Sequence, residues 1–274
     1  MTEFYDQVKE RLMRYARINT ESDPHSTSVP TTSCQHDLAK VIYEELQEIG
    51  ATNVYYDKDT CVVYGSLEAN VKTGRAIGFV THMDTAPDAS SKDVKPWILE
   101  NYDGNDIVLN KEKDIVMSPS VFPNLKQYIG QDLILTDGTT LLGGDDKASI
   151  AAVMTLLEYL VKHPEIKHNF ISVAFTPDEE VSGLAKDLDL ERFKSPIAYT
   201  LDGDHLGYYM DETFNASLST IEIHGISVHT ATAKGIMKNA VDIGNEFLNK
   251  LPALEKPQYT QGREGFYHVV SFNG

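Results

Sequence analysis

Four apolar runs in this chain each stop at a cluster of carboxylates or histidine. They are "FVTHMD" with His82 and Asp84, "LLGGDDK" with Asp145 and Asp146, "AFTPDEE" with Asp178, Glu179 and Glu180, and "YTLDGD" with Asp202 and Asp204. In an open α/β sheet the carboxyl ends of the strands form the ligand crevice. Four such clusters on one sheet edge would carry prohibitive negative charge unless cations neutralised it. Taken singly, a histidine after a strand is usually a satisfied structural residue, and carboxylates before a helix are usually caps. Four together on one edge reverse that reading. Mixed imidazole and carboxylate ligands suit zinc, manganese or cobalt better than calcium, which prefers oxygen alone.

The segments between these runs supply the rest of an α/β fold. The N-terminal stretch reads as an amphipathic helix with Phe4, Val8, Leu12 and Tyr15 on one face. A second helix is predicted from about His36 to Ile49, with Leu38, Val41, Ile42, Leu46 and Ile49 as its stripe and Gly50 just past its end. Strands are expected in "NVYYD", "CVVYGSL" and "AIGFVTHMD", then a looser region from Asp88 to Leu135. A long helix follows from about Asp146 to Lys162, and then two buried strands, "NFISVAFT" and "IAYTLDGD". This alternation predicts an open mixed sheet with helices on both faces. After about Asp211 the texture changes: "SLSTIEIHG" alternates like a strand with one wet face, and "IMKNAVDIGNEFLNKL" is an amphipathic helix. These predict a second, smaller α+β unit.

Composition removes several classes of function. The chain has 41 acidic against 24 basic residues over 274 positions, a formal charge of −17, so it lacks the basic face that nucleic acid or an anionic membrane requires. No apolar run approaches a membrane span. Cys34 and Cys61 are widely spaced with no CxxC pattern, which fits a reducing cytoplasm. "GTTLLGGDDK" lacks the Lys and Ser/Thr of a phosphate loop, "GISVH" has His229 where a nucleophile elbow needs glycine, and no HExxH occurs.

In order along the chain, "THMDTAPD", "TDGTTLLGGDDKASIAA", "FTPDEEVSG", "YTLDGD" and "VHTATAKGIMKNAV" resemble the peptidase T family of tripeptide aminopeptidases, within the co-catalytic zinc exopeptidase superfamily. The resemblance implies a catalytic α/β domain, here 1–211, and a lid and dimerisation domain, here 212–274 and incomplete. It implies a first zinc on His82 and Asp202, a second on Glu180, and Asp145 bridging the two through a cis bond to Asp146. Asp84 would orient the His82 imidazole, and Glu179 would be the general base. His229 would donate to the developing oxyanion, often across a homodimer; "SVHTATAKG" departs from the usual Pro-Gly after that histidine. Related dipeptidases and N-acyl amino acid deacylases would use the same catalytic-domain residues, and a metal-binding chain without activity is a further alternative.

The end of the chain adds one more expectation. "GFYHVVSFNG" reads as a strand running into an Asn-Gly turn with no returning strand. The chain therefore resembles an N-terminal portion of a family member. The resemblance puts the second zinc's histidine and a lid arginine in a segment after Gly274, leaving His205 and His268 as the nearest substitutes. The expectation is a weak second metal site and little activity toward peptides.

Overall fold

A computed structural model describes residues 2–72, 74–182, 188–203 and 206–274. The chain divides into two compact units, Met1–Tyr209 and Met210–Gly274. In the first unit the order is α1 (Thr2–Ala16), α2 (Gln35–Ile49), β1 (Thr52–Tyr56), β2 (Val63–Leu67) and β3 (Ile77–His82). Then come β4 (Trp97–Leu99), β5 (Ile107–Asn110), β6 (Ile115–Met117), β7 (Leu133–Leu135) and α3 (Gly144–Lys162). The unit closes with β8 (Ile171–Thr176), α4 (Glu179–Ser182), α5 (Leu190–Phe193) and β9 (Ala198–Thr200). Helix α6 (Ala240–Leu248) belongs to the second unit.

The main sheet is open and mixed, in the order β1-β2-β8-β3-β9. Strands β1, β2 and β8 pair antiparallel, while β3 runs parallel to both β8 and β9. Every residue of β2 and of β8 is buried, as near-continuous apolar runs in the middle of a covered sheet require. Strand β9 differs from its expectation as a buried strand: its three residues are exposed. Among the described residues it is an edge strand paired with β3 alone.

The predicted stripes of α1 and α2 face the core, with Leu12, Tyr15, Leu38, Ile42 and Leu46 buried and Val8, Val41 and Ile49 half-buried against it. Tyr15, Leu38, Ile42, Leu46, Ile150, Met154 and Leu157 are fully buried in one cluster with Val63, Val173 and Phe175 of the sheet. Gly50 ends α2 in the left-handed region at φ 87°, its N–H bonded to the carbonyls of Gln47 and Leu46. On the opposite face Phe193 of α5 packs with Val62, Tyr64, Val80 and Ala174. Gly78 makes this possible, since a Cβ there would lie 2.2 Å from Phe193 Cζ. The region expected to be loose is organised too. Pairs β4–β7 and β5–β6 enclose a small core of Tyr102, Ile107, Leu125 and Leu135.

In the second unit the helix forms but starts later than predicted. Asn239 caps it by accepting from the Val241 N–H at 2.9 Å. The strand expected in "SLSTIEIHG" is not assigned, and these residues are mostly exposed. The strand reading of "GFYHVVSFNG" is likewise not formed. A strand needs a partner for its backbone groups, and among the described residues of this unit the only pairing is the bridge between Ile226 and Lys238.

A buried charge network ties the three long helices together. Arg11 of α1 donates through Nε to Glu45 of α2 at 2.6 Å and through Nη1 to Thr155 of α3 at 2.8 Å, and it also pairs with Glu158. Tyr15 and Arg14 complete the shell around Glu45. Burial would raise the Glu45 pKa, but the hydrogen bonds from Tyr15, Arg11 and Arg14 prevail and lower it. Removing one member of such a cluster leaves charge buried without compensation. Arg11→Leu is expected to cost about 3 kcal/mol, the low end for a broken buried pair. Urea unfolding at pH 7 measures it, and a loss within experimental error would show that the network contributes nothing net.

Candidate functional site

The register of the parallel strands builds the site. His82 at the end of β3 lies opposite Thr176 at the end of β8, and Val80 lies opposite Thr200 at the end of β9. Residues just past each strand therefore emerge on the same edge: Asp84 after β3, Asp178 to Glu180 after β8, and Asp202 after β9. Asp145 arrives from the start of α3, where it and Asp146 depart from helical geometry (φ −80°, ψ 108° and φ −115°, ψ 22°). The peptide between them is cis, as the family resemblance implies.

His82 stands at the centre, 3% exposed. Its Nδ1 is 3.2 Å from Asp84 Oδ1, and its Nε2 is 3.0 Å from Asp145 Oδ1 and 3.9 Å from Asp202 Oδ2. One ligand atom each from His82, Asp145 and Asp202 lies within 4.8 Å of the others. One imidazole nitrogen and two carboxylate oxygens form a donor set that fits a divalent transition metal. Glu180 is not in that group of three, although its charge interacts with that of Asp145. Asp146 lies outside that group of three, and its Oδ2 accepts from the His82 backbone N–H at 3.1 Å.

Asp84 is fully buried and binds more than the imidazole. Its Oδ1 accepts from the Glu179 N–H at 2.9 Å and its Oδ2 from the Glu180 N–H at 3.1 Å. Neither bond was visible in the sequence. Asp178 faces the other way, into a pocket made by Thr31 and Gln35. Behind the site the buried Lys147 donates to the carbonyl of Ile18 at 2.8 Å, and burial pushes its pKa down to about 8. His229 lies in the second unit, where its Nδ1 accepts from the Ala231 N–H. His268 is also in that unit, while Asp204 and His205 lie outside the described residues.

The electrostatics show what the cluster lacks. Burial alone would lower the His82 pKa, but the hydrogen bond and charge of Asp84, with the charges of Asp146 and Glu179, raise it to about 10. Burial raises Asp146 to about 7. It also raises Glu179, Glu180 and Asp202, with further contributions from neighbouring carboxylates. Both imidazole nitrogens face carboxylate oxygens, and a neutral ring has only one N–H to donate. Such a site holds a proton or another cation at Nε2.

Residues 212–274 match the family model described as a peptidase dimerisation domain. Over 269 residues, 98% of its length, the chain is 51% identical to the peptidase T of Caldanaerobacter subterraneus subsp. tengcongensis, and equally so to that of Geobacillus kaustophilus. The chain belongs to the peptidase T family. It spans 66% and 65% of the lengths of these two relatives. Its fold resembles those of the aminopeptidase PepT from Bacillus cereus (TM-score 0.56, 22% identity, 90% of this chain and 57% of that one) and a tripeptidase from Staphylococcus aureus (TM-score 0.58, 19%, 93% and 58%).

The raised His82 pKa carries a prediction for the metal-free protein. The folded value of about 10 lies above the unfolded value of about 6.5. The stabilisation from charged His82 is therefore complete below pH ~6.5 and is lost as pH rises through the folded pKa. NMR of the metal-free chain should show His82 still protonated at pH 8, and zinc added at pH 7 should release protons. A His82 ring titrating near its ordinary value would overturn this account.

Proposed function

We propose that this family member is a metal-dependent aminopeptidase that releases the N-terminal residue of tripeptides, with residues 1–211 as its catalytic domain. The observation that carries the reading is the meeting of His82, Asp145 and Asp202 at one sheet edge, with Asp84 joining His82 to the Glu179–Glu180 backbone. His82, Asp145 and Asp202 would hold one zinc ion, and Asp145 with Glu180 would contribute to a second. When bound, the metal supplies Lewis acidity and lowers the pKa of a water molecule.

The protein's own groups divide the remaining work. Asp84 fixes the tautomer and orientation of His82, so that Nε2 is presented to the ion. Glu179, made more basic by burial and by neighbouring carboxylates, takes the proton of the attacking water and delivers it to the leaving amine. His229 is assigned, on its motif "SVHTATAKG", the hydrogen bond to the developing oxyanion. The match of residues 212–274 to a dimerisation domain supports a lid that pairs with a second copy. The free thiols Cys34 and Cys61 fit a cytoplasmic enzyme of peptide catabolism.

The two adjacent glutamates separate by role. Glu180→Ala should lower metal content, whereas Glu179→Gln should keep it and, when introduced into a chain spanning the full length of these relatives, reduce tripeptide turnover by about 10²–10⁴-fold, the usual contribution of a positioned base. Metal analysis beside an assay of free tripeptides, dipeptides and N-acyl amino acids tests both role and substrate class. Equal metal loss in the two variants would refute the division of roles. Preference for dipeptides or acylated substrates would move the chain to a neighbouring activity.

A further inference from the structure

The two N–H groups that reach Asp84 belong to residues following an unusual backbone position. Asp178 has φ 60°, in the left-handed region that residues other than glycine enter at a cost. It is also 2% exposed, so its carboxylate has little access to water. Something must hold this residue in place, because its conformation aims the next two amides.

The holding group comes from α2, far away in sequence. Gln35, the first residue of that helix, is fully buried. Its Nε2 donates to Asp178 Oδ1 at 2.7 Å, and its Oε1 accepts from the Asp178 N–H at 3.2 Å. Thr31 adds its backbone N–H to Asp178 Oδ2 at 2.8 Å and its hydroxyl to Oδ1. Among natural side chains, a primary amide meets a carboxylate and an N–H of one residue simultaneously. A carboxylate of the same length could not donate, and a thioether of similar size could do neither. Gln35 is itself anchored by a helix whose Leu38, Ile42 and Leu46 are fully buried.

We propose that Gln35 is a positioning residue for the active site: by gripping both the side chain and the backbone of Asp178 it fixes the turn that sets the Glu179 and Glu180 amides on Asp84. The catalytic consequence rests on the roles assigned to those glutamates above, whereas the clamp itself does not. The side-chain hydrogen bonds described for Gln35 go to Thr31, Thr32 and Asp178, so its effect on the site would pass through the turn.

Amide hydrogen exchange tests the clamp without any need for activity. In Gln35→Met the Glu179 and Glu180 amides should exchange at least tenfold faster, while those of Val173 and Phe175 in β8 keep their protection. Unchanged exchange at 179 and 180 in the folded variant would overturn the proposal. If Gln35→Met does not fold, the polarity swap Gln35→Glu with Asp178→Asn decides. The swapped pair can bond again, so protection at 179 and 180 should return to within a few-fold of the parent; failure to return overturns the clamp.

Turnover of the metal-loaded protein then tests the consequence. Displacing the base by about 1 Å costs roughly 10²-fold, so kcat should fall by about 10–100-fold with KM and metal content little changed. A purely structural Gln35 would lower the Tm and leave kcat per folded molecule intact, which would refute the positioning role. Running Glu179→Gln in parallel separates the two ideas. Normal turnover there removes the base assignment, and with it the catalytic consequence; collapsed turnover beside a normal Gln35→Met removes only the present inference.

Discussion

Everything at the sheet edge depends on the carboxylate of Asp84. It sits without solvent contact and has two oxygens to share among an imidazole and two backbone amides. A buried carboxylate is tolerable only when its acceptor capacity is used, and here it is used by the His82 ring and the Glu179 and Glu180 amides. The end of β3 and the turn after β8 are thereby locked together across a parallel pair, whose ladder itself stops at His82 and Thr176. The three consecutive carboxylates that follow β8 divide between two settings. One faces inward to Gln35 and Thr31, and two remain at the cation-seeking edge.

Much of the fold was legible because it depends on periodicity. The stripes of α1, α2 and α3 and the continuous apolar runs of β2 and β8 are one-dimensional patterns that directly encode burial. The readings that changed depended on neighbours. Strand β9 is apolar enough to look buried, yet exposure is set by its place at the end of the strand order. The alternation in "SLSTIEIHG" states only that a strand could form, since forming one also needs a partner.

The site was legible to a different degree. His82, Asp84 and Asp202 lie at or just past the ends of parallel strands, so the topology brings them to one edge, and Asp145 joins them from the first turn of α3. The supporting groups carried no comparable signal. Gln35 and Thr31 lie about 145 positions before Asp178 in an unremarkable polar stretch, and the roles of Asp146 under the His82 amide and Lys147 beneath Ile18 depend on tertiary placement. One clue was present: an acidic residue directly before Glu179 and Glu180, where a third exposed charge would only add repulsion, points to an internal partner.

His82 and Asp202, two members of the candidate metal cluster, are unequally anchored. His82 belongs to a strand with neighbours on both sides, whereas Asp202 follows three exposed residues that lean on β3 alone, through bonds such as Gly78 N–H to Ile197 and Leu201 N–H to Val80. Sheet margins of this kind open locally at far lower cost than the interior. Any ion joining His82 to Asp202 would therefore act as a rivet on this margin, adding stability that grows with the logarithm of its concentration once that exceeds the Kd. The margin and the ligand set are thermodynamically one object: loosening the last strand weakens the grip on the ion, and filling the ligand set stitches down the last strand.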